Sequence, residues 1–228
     1  MKENIFLFLS VLFGSILGFF FRRNKNFSKS ILVISAGYLL AICVSELFPS
    51  VYINNNNVSI SVWILVGVLV QLILETFTKG VEHGHVHLHH KAKIPYGLLI
   101  GLCIHAFIEG IPINENHQEH NHLLWAICVH NIPISFILSA QLFSSDVKIP
   151  KAILLLFIFA LMSPLGNILG EYFSENYFQF FTAIVSGIFL HISSVIIFES
   201  NESHTLNIKK LIYVLLGIFM AYFTSIIH

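Results

Sequence analysis

Residues 102–112 read Leu102-Cys103-Ile104-His105-Ala106-Phe107-Ile108-Glu109-Gly110-Ile111-Pro112. An imidazole and a carboxylate four residues apart share one helix face, about one turn from each other. Everything around them is apolar, and the surrounding segment 95–113 holds no other charged residue. About 20 such residues cross the hydrocarbon core of a bilayer. A carboxylate at mid-span costs about 2.5 kcal/mol or more, so it is kept where it meets a partner or an ion path.

Apolar segments of this kind recur along the whole chain. Spans are predicted at 4–21, 29–50, 59–79, 95–113, 122–143, 150–171, 177–198 and 208–227, with short connections and no soluble domain. The 228 residues are 56% hydrophobic and 11% charged, where a soluble domain has about 25% charged. The expected fold is therefore all-α, an eight-helix membrane bundle forming a single transmembrane domain over 1–228. Net charge is zero, which leaves nothing to draw the chain to nucleic acid. The run 5–21 is too long for a signal-peptide core and has no small-residue cleavage site, so it is expected to stay as the first helix.

The basic residues fix the predicted orientation. With the N-terminus outside, Arg22, Arg23, Lys25 and Lys29 follow helix 1, and Lys79, Lys91 and Lys93 follow helix 3. Lys148 and Lys151 follow helix 5, and Lys209 and Lys210 follow helix 7. All these connections fall on the inner side, and of the 12 basic residues only Lys2 lies outside. The positive-inside rule asks for this bias, so both termini are predicted outside.

Helix 5 carries a second intramembrane motif, Val129-His130-Asn131-Ile132-Pro133. At 1.5 Å per residue, His105 is about 15 Å from the inner start of helix 4 and His130 about 12 Å from the outer start of helix 5. If the two helices are antiparallel neighbours, both imidazoles reach mid-depth with Glu109. Alone, either histidine is equally a hydrogen-bonded residue of the bundle. Together the three side chains can surround one divalent ion. Pro112 and Pro133 are expected to free the carbonyls of Ile108 and Val129.

Other histidines gather in two connections. His83, His85, His87, His89 and His90 lie in the inner tract 80–94, whose composition suits loose metal binding or a solvated linker. Glu115, His117, Glu119, His120 and His122 lie between helices 4 and 5, and either collect cations at the entrance or form a hydrated loop. Glu46 is a candidate entrance ligand. His191 and Glu199 are candidates for an exit path, although His191 is equally a packed interior residue. Gln71 and Glu75 are expected to reach toward the inner interface. Ser163-Pro164 reads as a kink in helix 6. Cys43, Cys103 and Cys128 show no CxxC spacing and suggest neither disulfides nor a cysteine zinc site.

With these motifs placed, the chain resembles the ZIP (Zrt/Irt-like) family of metal transporters over nearly its full length. The resemblance lies in His105-x-x-x-Glu109-Gly110, in His130-Asn131-x-Pro133, and in the His-rich tract between helices 3 and 4. Weaker echoes are Ala36-Gly37-Tyr38-Leu39-Leu40 through Glu46-Leu47-Phe48-Pro49, and Gly187-Ile188-Phe189-Leu190. The resemblance implies a 3+2+3 helix arrangement and frequent dimers. It also implies zinc, iron or manganese as cargo, moved toward the cytoplasm across a cell membrane (the inner one in a bacterium) through a site between helices 4 and 5.

The pattern departs from the family where many members hold a second, adjacent metal. Ala106, Ile134 and Ser163 stand where that ion needs ligands, and only Asn131 remains. One mid-depth ion held by His105, Glu109 and His130 is therefore expected, with Asn131 on its path. No organic cofactor is implied, and the donor set does not separate zinc from iron, manganese or cadmium. Two other readings stay open: a membrane-embedded metallohydrolase with Glu109 as general base, and a metal sensor.

Overall fold

The computed structural model describes residues 2–53, 59–78, 96–113, 121–199 and 208–227, and every regular element among them is helical. Helix α1 spans Lys2–Phe21. Helix α2 runs over Lys25–Ile42, passes through a π-helical turn at Cys43–Leu47 and ends as Phe48–Ile53. Then come α3 (Ser59–Thr78), α4 (Tyr96–Gly110), α5 (Asn121–Ser144), α6 (Ile149–Gly170), α7 (Glu175–Glu199) and α8 (Ile208–Ile227). Seven are long and apolar enough to cross a bilayer, and the 15-residue α4 is the shorter eighth. The chain is an all-α integral membrane protein.

Two local features differ from the sequence expectation. Helix α4 stops at Gly110 rather than reaching 113, because Pro112 has no N–H and disfavours helical geometry in the residue before it. The Ile108 carbonyl is not freed: it accepts from the Ile111 N–H at 3.2 Å in the closing turn. In α2, the Phe48 N–H reaches back five residues to the Cys43 carbonyl. Pro49 follows at once; it has no N–H to offer the preceding turn, so a wide turn forms there.

Glycines set how the helices pair. A Cβ at Gly14 or Gly18 of α1 would lie 2.3 Å from the carbonyl oxygen of Ile132 or Phe136 on α5. A Cβ at Gly166 or Gly170 of α6 would lie 2.1 Å from that of Phe107 or Ile111, the stretch that closes α4. Only glycine allows backbones this close. The pairs α2/α8 and α3/α7 cross in the same way: Gly37 meets Val214 and Gly217 meets Ile34, while Gly187 meets Ile64 and Gly67 meets Ile184. In α1/α5 and α4/α6 the contacts advance in step along both partners, so the helices run parallel. Helices of equal parity in an alternating bundle must do this.

These contacts reveal an internal two-fold relation. Adding 150 to Gly37, Ile64, Gly67 and Ile34 gives Gly187, Val214, Gly217 and Ile184. Adding 152 to Gly14 and Gly18 gives Gly166 and Gly170, and adding 25 to Phe107 and Ile111 gives Ile132 and Phe136. Helices α1–α3 thus correspond to α6–α8, and α4 to α5. Counterparts of opposite parity make the repeat inverted, a transporter architecture with its site at the repeat interface. This is a 3+2+3 arrangement. Helix α5 lies at its centre, with 83% of the residues in its most apolar stretch buried, whereas in α8 only 11% are and the helix faces outward.

Candidate metal centre

The two-fold relation pairs the histidines of α4 and α5, because 105 plus 25 is 130. It places Leu102-Cys103-Ile104-His105-Ala106 of α4 opposite Ile127-Cys128-Val129-His130-Asn131 of α5. Helices α4 and α5 touch each other little. Each is held mainly by a glycine crossing, α4 on α6 and α5 on α1. The histidines therefore meet where the two halves of the bundle face each other, rather than along an extended helix pair.

His105, Glu109 and His130 are all fully buried. His105 Nε2 lies 2.9 Å from Glu109 Oε1, His130 Nε2 lies 3.9 Å from the same oxygen, and the two Nε2 atoms are 3.4 Å apart. Zinc bonds of about 2.0–2.1 Å at tetrahedral angles put donor atoms about 3.3–3.4 Å apart. The triangle brackets that value, so its three atoms suit one face of a tetrahedron. Among the described residues this is the one group of three or more His, Cys, Asp or Glu side chains with that convergence.

Gln71 of α3 completes the arrangement. Its Oε1 lies 3.1 Å from His105 Nδ1, and its side chain is fully buried. An amide oxygen can only accept, so the Nδ1 carries the proton and the Nε2 lone pair of a neutral ring points at Glu109 and His130. A lone pair facing a carboxylate oxygen at 2.9 Å is relieved by a proton or a metal cation shared between them. Sequence reading placed Gln71 at the interface. The sign it held was a lone amide well inside an apolar span, where polar groups carry function.

The remaining candidates are dispersed. Asn131 is buried beside His130, and its Nδ2 donates to Ser163 Oγ at 3.5 Å. Glu46 sits on the wide turn of α2, away from the cluster, where it accepts from Ser225 Oγ at 2.8 Å and lies 3.8 Å from His122 Nε2. His191 lies 3.2 Å from Glu75 Oε2 on the opposite half of the molecule, a pairing that sequence reading did not make. Glu199 ends α7, and its side chain lies outside the described residues, as do His83, His85, His87, His89, His90, Glu115, His117, Glu119 and His120.

Residues 79–225, more than half of the chain, match the sequence profile of the ZIP zinc transporter family. The protein zntD of Dictyostelium discoideum is 33% identical over 150 residues, covering 57% of this chain and 22% of zntD. Zinc transporter ZIP1 of Danio rerio is 35% identical over 92 residues, covering 39% of this chain and 30% of that protein. The match thus takes in less than a third of either relative's length. The profile includes both histidine motifs and five of the eight helices, and the chain belongs to the ZIP zinc transporter family.

Proposed function

We propose that the chain carries divalent transition-metal ions, zinc foremost and iron, manganese or cadmium by the same chemistry, across a cell membrane toward the cytoplasm. The ion rests at one mononuclear site made by His105 Nε2, His130 Nε2 and Glu109 Oε1. The observation that carries this is their spacing of 2.9, 3.4 and 3.9 Å inside a fully buried cluster. The printed names of the relatives, a zinc transporter among them, support the choice of metal. Direction is taken from the family resemblance; the basic residues gathered on one side orient the bundle in the membrane. On this reading the bundle is one transport unit, and the tract 80–94 offers imidazoles to ions at its inner face.

Two imidazoles and one carboxylate leave a bound divalent ion with about one positive charge and room for water as a fourth ligand. That is a resting place rather than a trap, because a permeating ion must be held weakly enough to leave. The test is metal flux into liposomes holding purified protein, across a panel of divalent ions, repeated with His105→Ala and Glu109→Ala. Zinc uptake that both substitutions abolish, in folded protein, supports the reading. Uptake unchanged by either would refute the site, and peptide or ester cleavage without flux would favour a hydrolase.

A further inference from the structure

Beside the central cluster, neutral polar side chains form a file through the seam of α1, α5 and α6. It starts next to His130 at Asn131, and the Asn131 Nδ2 donates to Ser163 Oγ at 3.5 Å. Asn167 follows one turn along α6, on the same face as Ser163. The Asn167 Nδ2 donates to Asn4 Oδ1 at 2.8 Å, close to the start of α1. Asn131, Ser163 and Asn167 are at most 1% exposed, while Asn4 is half-buried. The file thus leads from the cluster to the end of the bundle that bears the chain termini.

Two features mark it as more than packing. First, Asn131 Oδ1 and Asn167 Oδ1 are both buried acceptors without a hydrogen-bond donor. A buried acceptor left so is costly, and the usual remedy is a bound water with two to four polar partners. Second, the file is one-sided. Under the internal two-fold relation, Asn4 corresponds to Leu156 (4 plus 152), Ser163 to Val11, Asn131 to Ala106 and Asn167 to Ser15. Three of the four counterparts are apolar, so the repeat does not explain the polar residues.

We propose that this file is a water-filled branch, its ligand a short chain of water molecules held by the two amide oxygens and the Ser163 hydroxyl. It hydrates the cluster from the terminal end and supplies the water that completes the ion's coordination. That last role rests on the proposed metal transport; the water chain itself does not. Neutral oxygens suit this task, since they carry no charge to compete with Glu109 for the ion.

The test uses chains in lipid nanodiscs, open to solvent on both faces, with Cys43, Cys103 and Cys128 replaced by alanine. Single cysteines are placed by Asn167→Cys and Ser163→Cys on the file and by Leu156→Cys and Val11→Cys at the counterparts. Silver ion is the probe, small enough to follow a single file of water. Both file positions should react at least tenfold faster than both counterparts; equal or slower reaction overturns the proposal. Hydroxyl-radical labelling of the unsubstituted chain gives a check independent of refolding. Met162, half-buried beside Ser163, should oxidise faster than Met220, which is 44% exposed on the outward face of α8. The reverse order overturns the proposal. Neither readout needs ion flux. A protein that passes both and moves no metal would sink the transport reading alone, and one that moves metal and fails them would sink only the water branch.

Discussion

Gln71 Oε1 sits 3.1 Å from His105 Nδ1, and this single contact decides which nitrogen of the imidazole faces the cluster. A partner on the second nitrogen of a metal-binding histidine is generally worth about 10–100-fold in affinity. Gln71→Leu should weaken zinc binding by about that factor, because the ring can then turn or change tautomer. Gln71→Glu keeps an acceptor and should bind more tightly than Gln71→Leu. Competition titrations on purified protein would read the order. Equal affinity for wild type and Gln71→Leu would show that Gln71 does not orient the ring.

One ion, not two, should occupy the cluster. The position after His105 is Ala106, and the position after Pro133 is Ile134. Ile134 is also the two-fold counterpart of Glu109, so the symmetric bundle presents its carboxylate from one side only. Ser163, at the position where the family resemblance puts a ligand of a second ion, accepts from Asn131 Nδ2. Anomalous scattering from zinc-soaked crystals should give one peak at the three donors. Two peaks within about 4 Å, the usual two-metal spacing, would contradict this.

Uptake should fall as the medium is acidified. All three donor atoms must be free of protons to bind metal, so protons compete with the ion. Metal-bound forms prevail at high pH and protonated, empty forms at low pH. Zinc flux into liposomes measured between pH 7.5 and 5.5 should decline steadily toward acid. Flux that stays level over that range would argue against protonation of these ligands.

Much of this was legible in the chain itself. Hydropathy and the one-sided lysines and arginines pointed to eight spans, because in lipid a single apolar segment satisfies its backbone only by forming a helix. His105 and Glu109 declared themselves by being polar in an apolar run, and His130 by matching depth. Gln71 was harder: a single amide on α3 acquires meaning only when the fold brings α3 against α4. The His191–Glu75 pair is of the same kind, joining residues of α7 and α3. The inverted repeat left traces, such as Gly14-Ser15-Ile16-Leu17-Gly18 beside Gly166-Asn167-Ile168-Leu169-Gly170. Short glycine-spaced segments are common in membrane helices, and only the matched contacts gave these a shared role.

The glycine crossings that carry the two histidines should be sensitive to one methyl group. A Cβ at Gly166 would stand 2.1 Å from the Phe107 carbonyl oxygen, two residues from His105. At the counterpart, a Cβ at Gly14 would stand 2.3 Å from the Ile132 carbonyl oxygen, two residues from His130. Backbone cannot yield as a flexible side chain does, so each helix pair must separate. Overpacking of this sort costs about 1–3 kcal/mol. Gly166→Ala and Gly14→Ala should each lower thermal stability and cut zinc uptake while leaving every donor in place. Gly97→Ala is the control, since its Cβ would meet nothing nearer than 3.5 Å. A thermal-shift series with parallel uptake should separate the first two from the third. If Gly166→Ala and Gly14→Ala behaved like Gly97→Ala, the close crossings would not be what brings the two imidazoles together.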